Sequence, residues 1–207
     1  MSSPKSRAGR PSPEQAERKR ANLILAALDE FARVGFSAAS MRDIAKAAEI
    51  SSRTLYNYYP DKLALFAACL EHSGHAIQPT LPKLSGDLHS QLVNYTVAMQ
   101  EQLSTPQAMQ ITTLIFREAN GFDALRDIAR EQFERYQVAP VARILEDHNM
   151  SGDQAKLLAP QFVSMAFGEW QRRVLFGGPP LTKEIATTQA QIAADIFISG
   201  ISHFYKL

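Results

Sequence analysis

The sequence predicts an all-α protein, with an N-terminal three-helix unit containing a helix-turn-helix joined to a larger helical domain. Three observations predict it. Apolar residues recur at helical spacing along nearly the whole chain. Proline, glycine and serine breaks divide that pattern into segments of helix length. Alternating runs and Asn-Gly hairpin signals, which would argue for strands, are absent. The 207 residues and 45% hydrophobic content allow one large or two small domains with a sizeable core. No apolar run is long enough to span a bilayer, and no charged-then-apolar leader opens the chain. Cys69 stands alone, which excludes an internal disulfide and a cysteine zinc cluster and makes a reducing cytoplasm the expected compartment.

Residues 1–12 are basic and rich in serine and proline, and are expected to form an arm without a fold of its own. Arg7 and the triplet Gly9-Arg10-Pro11 suit an extended arm that lays Arg10 into a narrow minor groove. A leader whose charge only aids solubility fits equally well. Residues 1–62 carry 11 Lys/Arg against 7 Asp/Glu, while the net charge of the whole chain is +1. A basic front end on a mildly acidic body suits a chain that meets phosphate with one end.

The first helix is expected from Pro13, with Ser12 as cap, to about Val34, where Gly35 ends it. Leu23, Ile24, Ala27, Leu28, Phe31 and Ala32 form its apolar face, and Arg18, Lys19 and Arg20 a solvated one. Phe36 is expected to close a small core with Ile44, Leu55 and Tyr59. The stretch SMRDIAKAAEISSRTLYNYYPDK, from Ser40 to Lys62, reads as two short helices around a tight turn. Ser40 caps the first and Asp43 favours its positive end. Ile44, Ala45 and Ala48 form a face narrow enough for a close crossing. Ile50 plugs the turn, and Ser51 or Ser52 caps the second helix. Leu55 and Tyr59 point inward, leaving Ser52, Arg53, Asn57 and Tyr58 on the outer face. Pro60 stops that helix and Asp61 caps the next.

The pattern I-A-x-x-A-x-I-S-x-x-T-L-Y-x-Y-Y-x-x-K-x-x-L resembles the DNA-binding signature of tetracycline-repressor (TetR) family regulators. It matches at Ile44, Ala45, Ala48, Ile50, Ser51, Thr54, Leu55, Tyr56, Tyr58, Tyr59, Lys62 and Leu65. The family usually has glycine where Glu49 stands, so Glu49 must either take a left-handed backbone or adjust the turn. The resemblance implies DNA contacts from Ser40, Ser51, Ser52, Arg53, Thr54, Tyr56, Asn57, Tyr58 and Lys62. Arg53 would read bases from the first turn of the recognition helix, and Lys62 would meet a phosphate. It implies three divisions: an arm at 1–12, a DNA-binding domain at 13–60, and an effector-binding and dimerisation domain at 61–207.

Beyond the recognition segment, a helix from Asp61 to about His75 carries Leu63, Leu65, Phe66, Cys69 and Leu70. Cys69 reads as a small buried hydrophobe rather than a redox sensor, which would need an exposed, electropositive thiol. Residues 74–87, with two prolines and two glycines, are the best linker candidate. Helices are expected over Leu88–Ser104, Pro106–Asn120, Phe122–Asn149 and Asp153–Phe176. Gly177-Gly178-Pro179-Pro180 is a strong stop, followed by a last helix from about Thr182 to Tyr205. The last two are apolar on more than one side, through Leu157, Met165 and Trp170 in one and Ile185, Ile192, Ile196 and Phe197 in the other. That excess suggests a partner, with burial in the chain's own core as the alternative. The resemblance implies a four-helix interface between two copies, and thereby a homodimer reading a palindromic operator on double-stranded DNA.

The body is expected to hold a small-molecule effector between helices. Candidate lining residues are Tyr95, Met99, Phe116, Arg117, Phe133, Phe162, Met165 and Trp170, although aromatics and methionines at helical spacing more often form core. Arg117 suits either an anionic ligand or a surface ion pair. The five histidines are scattered, and no metal spacing, nucleophile elbow, phosphate loop or dinucleotide fingerprint is present. No cofactor and no catalytic or metal-ligating residue is assigned. The expected function is a ligand-responsive repressor. The alternatives are an enzyme or a ligand-independent DNA-organising protein on the same fold.

Overall fold

The computed structural model describes residues 13–77, 85–118 and 121–204. Ten α-helices and no strand occur among these described residues. Helix α1 (Pro13–Ala38) is broken at Gly35, whose φ of 86° and ψ of 164° no other residue type adopts readily. Helices α2 (Met41–Ala47) and α3 (Ser52–Tyr58) form the helix-turn-helix, and α4 (Lys62–Ile77) leads away from it. The expected linker begins later than its first glycine suggests, because α4 runs through Gly74 to Ile77, and residues 78–84 lie outside the described residues. So do the arm and Arg10.

The body comprises α5 (Leu88–Leu103), α6 (Pro106–Glu118), α7 (Asp123–Phe133), α8 (Ala139–Asp147), α9 (Gly152–Phe176) and α10 (Lys183–Phe204). The single helix expected over Phe122–Asn149 is instead interrupted by a π-helical turn, Glu134–Val138. Pro140 gives the physical reason. It has no N–H to donate to the carbonyl of Tyr136 one turn earlier, and Ala139 N–H reaches back five residues to Glu134. The Tyr95 hydroxyl on α5 donates to the Gln137 carbonyl at 2.8 Å and lies 3.5 Å from the Tyr136 carbonyl, tying the turn to α5.

Two hydrophobic cores result. The N-terminal one gathers α1, α2, α3 and α4 around Leu23, Phe31, Ile44, Leu55 and Phe66, and takes in Ile111 and Leu114 from α6 and Leu125 from α7. Phe31, Phe36 and Phe66 are mutually packed with ring centroids 5.3–5.7 Å apart, and Phe122 adds a fourth ring against Phe36 at 5.5 Å. Phe36 thus closes the core with other phenylalanines as well as with the apolar positions of the helix-turn-helix. Cys69 is fully buried there; its thiol points at the Ile24 carbonyl at 3.8 Å, and burial pushes its pKa up. The second core packs α5, α8, α9 and α10 around Leu92, Val141, Phe162, Phe167 and Phe197.

Candidate functional site

At the helix-turn-helix, local chemistry fixes the geometry. The Ser40 hydroxyl accepts from Arg42 N–H at 3.2 Å and Asp43 N–H at 3.4 Å. Ser51, rather than Ser52, caps α3: its Oγ accepts from Thr54 N–H at 3.0 Å and lies 2.8 Å from the Thr54 hydroxyl. Glu49 takes the left-handed backbone at φ 54°, so the turn keeps its usual path without glycine and accepts the strain of a side chain there. Ile50 packs half-buried against the core beneath.

With Leu55 fully buried on one side, α3 turns Ser52, Arg53, Tyr56 and Asn57 to solvent. The helix-turn-helix also has a shallow cleft lined by Ser40, Arg42, Lys46, Ser51 and Ser52. Arg42 and Lys46 were not among the sequence candidates. Their exposure was legible in the helical spacing, since Ile44 and Ala45 take the buried side. Tyr58 lies lower than expected: it is half-buried, 6.5 Å from the Tyr59 ring, with the Arg20 guanidinium 5.4 Å from its centroid. Burial raises the Tyr59 pKa, partly opposed by nearby Arg20. Lys62 differs most from expectation. Its Nζ donates inward to the carbonyls of Ser37 at 2.8 Å and Ala39 at 2.9 Å, and sits 4.9 Å from the centre of the Phe36 ring. It therefore ties the end of α1 to the start of α4.

In the body, a mostly apolar cavity of about 450 Å³ lies between α4, α5, α6, α7, the π-turn and α9. Of the sequence candidates, Phe116, Phe133 and Trp170 line it. Trp170 is nearly buried, and its indole N–H donates to the Leu103 carbonyl at 3.2 Å. The remaining candidates lie elsewhere. Tyr95, Met99 and Phe162 are fully buried in the second core, where close packing leaves no room for a ligand. Met165 faces outward from α9. Arg117 pairs with Glu118 at 3.4 Å beside Gly35, on the side of α6 turned towards α1. The lining that sequence reasoning missed includes Ile111, Thr112 and Ile115 on α6 and Gln132, Tyr136 and Gln137 around the π-turn.

The family model described as bacterial regulatory proteins, tetR family, matches residues 23–69, a span covering most of α1 through the first half of α4. The flavonoid-responsive regulator FrrA, a solved structure, is 29% identical with a TM-score of 0.72 over 89% of this chain and 97% of that one. Residues 23–69 thus carry a DNA-binding region of the TetR-family type, and the chain as a whole is similar to TetR-family transcriptional regulators. A crystal structure described as a TetR-family regulator of Mesorhizobium loti superposes with a TM-score of 0.75 at 22% identity, over 90% of this chain and 98% of its own, and shares the fold. The HTH-type transcriptional repressor NicS of Pseudomonas putida is 33% identical over 75 residues. That match spans about a third of the relative's length, 35%, and 36% of this chain. For a TetR-family protein the helix-turn-helix is the DNA-binding element, and among the described residues no helix is long and apolar enough to cross a membrane.

Proposed function

We propose that this chain is a ligand-responsive repressor that binds a palindromic operator as a homodimer and leaves it when a small molecule fills the cavity. The observation that carries the reading is the double role of α6. Ile111 lines the cavity and is also part of the N-terminal core, and its neighbour Leu114 packs into that core beneath the DNA-binding element. A ligand that displaces α6 therefore acts on the seat of the recognition helices, and it shifts the equilibrium by its differential affinity for the two arrangements. NicS is a repressor and FrrA responds to flavonoids, and both relatives support the reading.

The dimer has its own support. Leu157 on α9 is 62% exposed and Ile196 on α10 is 56% exposed, with Met165 and Ile192 along the same helices. A Cβ placed on Gly200 meets nothing within 4 Å, so another helix has room to approach there. Seven-residue recognition helices reach few bases, and a two-fold axis doubles the contacts. Introducing a charge by Ile196→Asp should give monomer or aggregate in sedimentation and abolish operator binding. The functional test is an anisotropy titration on DNA flanking the chain's own gene. Specific binding, weakened by a compound that also changes Trp170 emission, supports the proposal, because the coupling is reciprocal. Equal affinity for scrambled DNA would sink it.

A further inference from the structure

Resting on the effector-cavity reading above, we infer that the effector is a neutral, flat aromatic compound carrying hydroxyl donors, of the diphenol type, held by the amides of Gln132 and Gln137. Three features of the cavity define that class. Its aromatic walls, Phe116, Phe133 and Trp170, offer ring faces and edges to a planar molecule. Its charge is balanced: no acidic side chain lines it among the described residues, and Arg126 and Arg130 are paired with Asp123 at 2.7 Å and Asp127 at 3.1 Å. An ammonium ligand would find no counter-charge in the lining, and a carboxylate would have to compete with Asp123 and Asp127 for the two arginines. The third feature is polar. The Gln132 and Gln137 side-chain oxygens are shut off from solvent and have no donor among the described residues.

Such an oxygen is an acceptor at a cost, and a hydroxyl relieves it. The terminal torsion of glutamine is broad, so a partial turn of the amide brings the oxygen to a guest in the cavity. The π-turn explains why two glutamines five positions apart share one cavity. On a regular α-helix they would diverge by about 140°. The wide turn, imposed by Pro140 and held by the Tyr95 hydroxyl, swings Gln137 back towards the side of Gln132 and Phe133.

The test titrates the full-length protein with biphenyl, its para,para′-dihydroxy derivative and the corresponding dimethyl ether, reading emission from Trp170, the chain's sole tryptophan. The ether keeps rings and oxygens but cannot donate. The diphenol should bind roughly tenfold tighter than either comparator. Gln132→Met and Gln137→Met should each lower diphenol affinity several-fold and leave biphenyl unchanged, which also shows that the variants keep the cavity. Together they should level the three ligands. Equal binding of all three to the wild type, or a diphenol preference that survives the double substitution, overturns the inference and leaves the cavity reading standing. No emission change with any of the three overturns both.

Discussion

Around Phe66 the N-terminal core is closed on every side, whereas around Phe133 the body is left open. Phe66 is fully buried between Phe31 and Phe36, with centroids 5.3 and 5.5 Å away. Phe133 is half-buried against a cavity, in a helix that ends in a π-turn and next to a glutamine whose amide oxygen has no donor among the described residues. On the proposed function, the contrast follows from the tasks. A helix that reads bases must be held to a fixed shape, and close packing with capped helix ends does that. A segment that responds to a ligand must gain from being filled. Voids and unpaired acceptors leave it something to gain.

The largest expected effect breaks the comparison directly. Phe66→Ala should cost about 3–5 kcal/mol, because a full ring leaves a closed site. DNA binding should fail with it. Phe133→Ala should cost clearly less, since that ring already borders empty space, and should alter effector affinity with little change in ligand-free DNA affinity. Denaturant melts of the two variants supply the comparison. Equal costs would mean that the cavity wall is as tightly built as the reading head.

A smaller effect is expected at the π-turn of the body. Tyr95→Phe removes the donor serving the Gln137 and Tyr136 carbonyls and should cost about 1–3 kcal/mol. Burial raises the Tyr95 pKa, so the hydroxyl stays protonated and donating through the neutral range. Hydrogen exchange should quicken at the start of α8 and not in α1 to α3. Uniform quickening would show that the π-turn is not a separate weak point.

The reading end was legible because its signals are local. Ser40 and Ser51 announce caps, Gly35 a break, and Leu55 fixes by spacing that Arg53 and Asn57 face out. The cavity was not legible, because it is assembled from positions as distant in the chain as Ser73 and Trp170, joined by no motif. Choosing aromatics and methionines selects packed core, as at Tyr95 and Phe162, as readily as wall, as at Phe133. The π-turn did leave a mark in Pro140, a proline inside a helical pattern. Its consequence depended on Tyr95 lying opposite, which spacing does not show.

Lys62 is where the two kinds of information collide, and its prediction is the finest. The resemblance implies a phosphate contact, in which case Lys62→Ala lowers the slope of log affinity against log salt by about one. The structure directs the ammonium inward, to the carbonyls of Ser37 and Ala39. On that geometry Lys62→Ala should cost about 1–2 kcal/mol of stability, because it removes charged hydrogen bonds at the end of α1. The salt slope should stay unchanged, and affinity should fall equally for all sequences as the recognition helix loses its seat. Arg53→Ala provides the contrast, with an expected cost of about 1–3 kcal/mol in binding, a relaxed preference at one base pair per half-site and an unchanged melt. A salt titration and a thermal melt on both variants decide between the roles. A reduced slope with an unchanged melt in Lys62→Ala would return the residue to the phosphate, and Ser37 and Ala39 would then be its resting place off DNA.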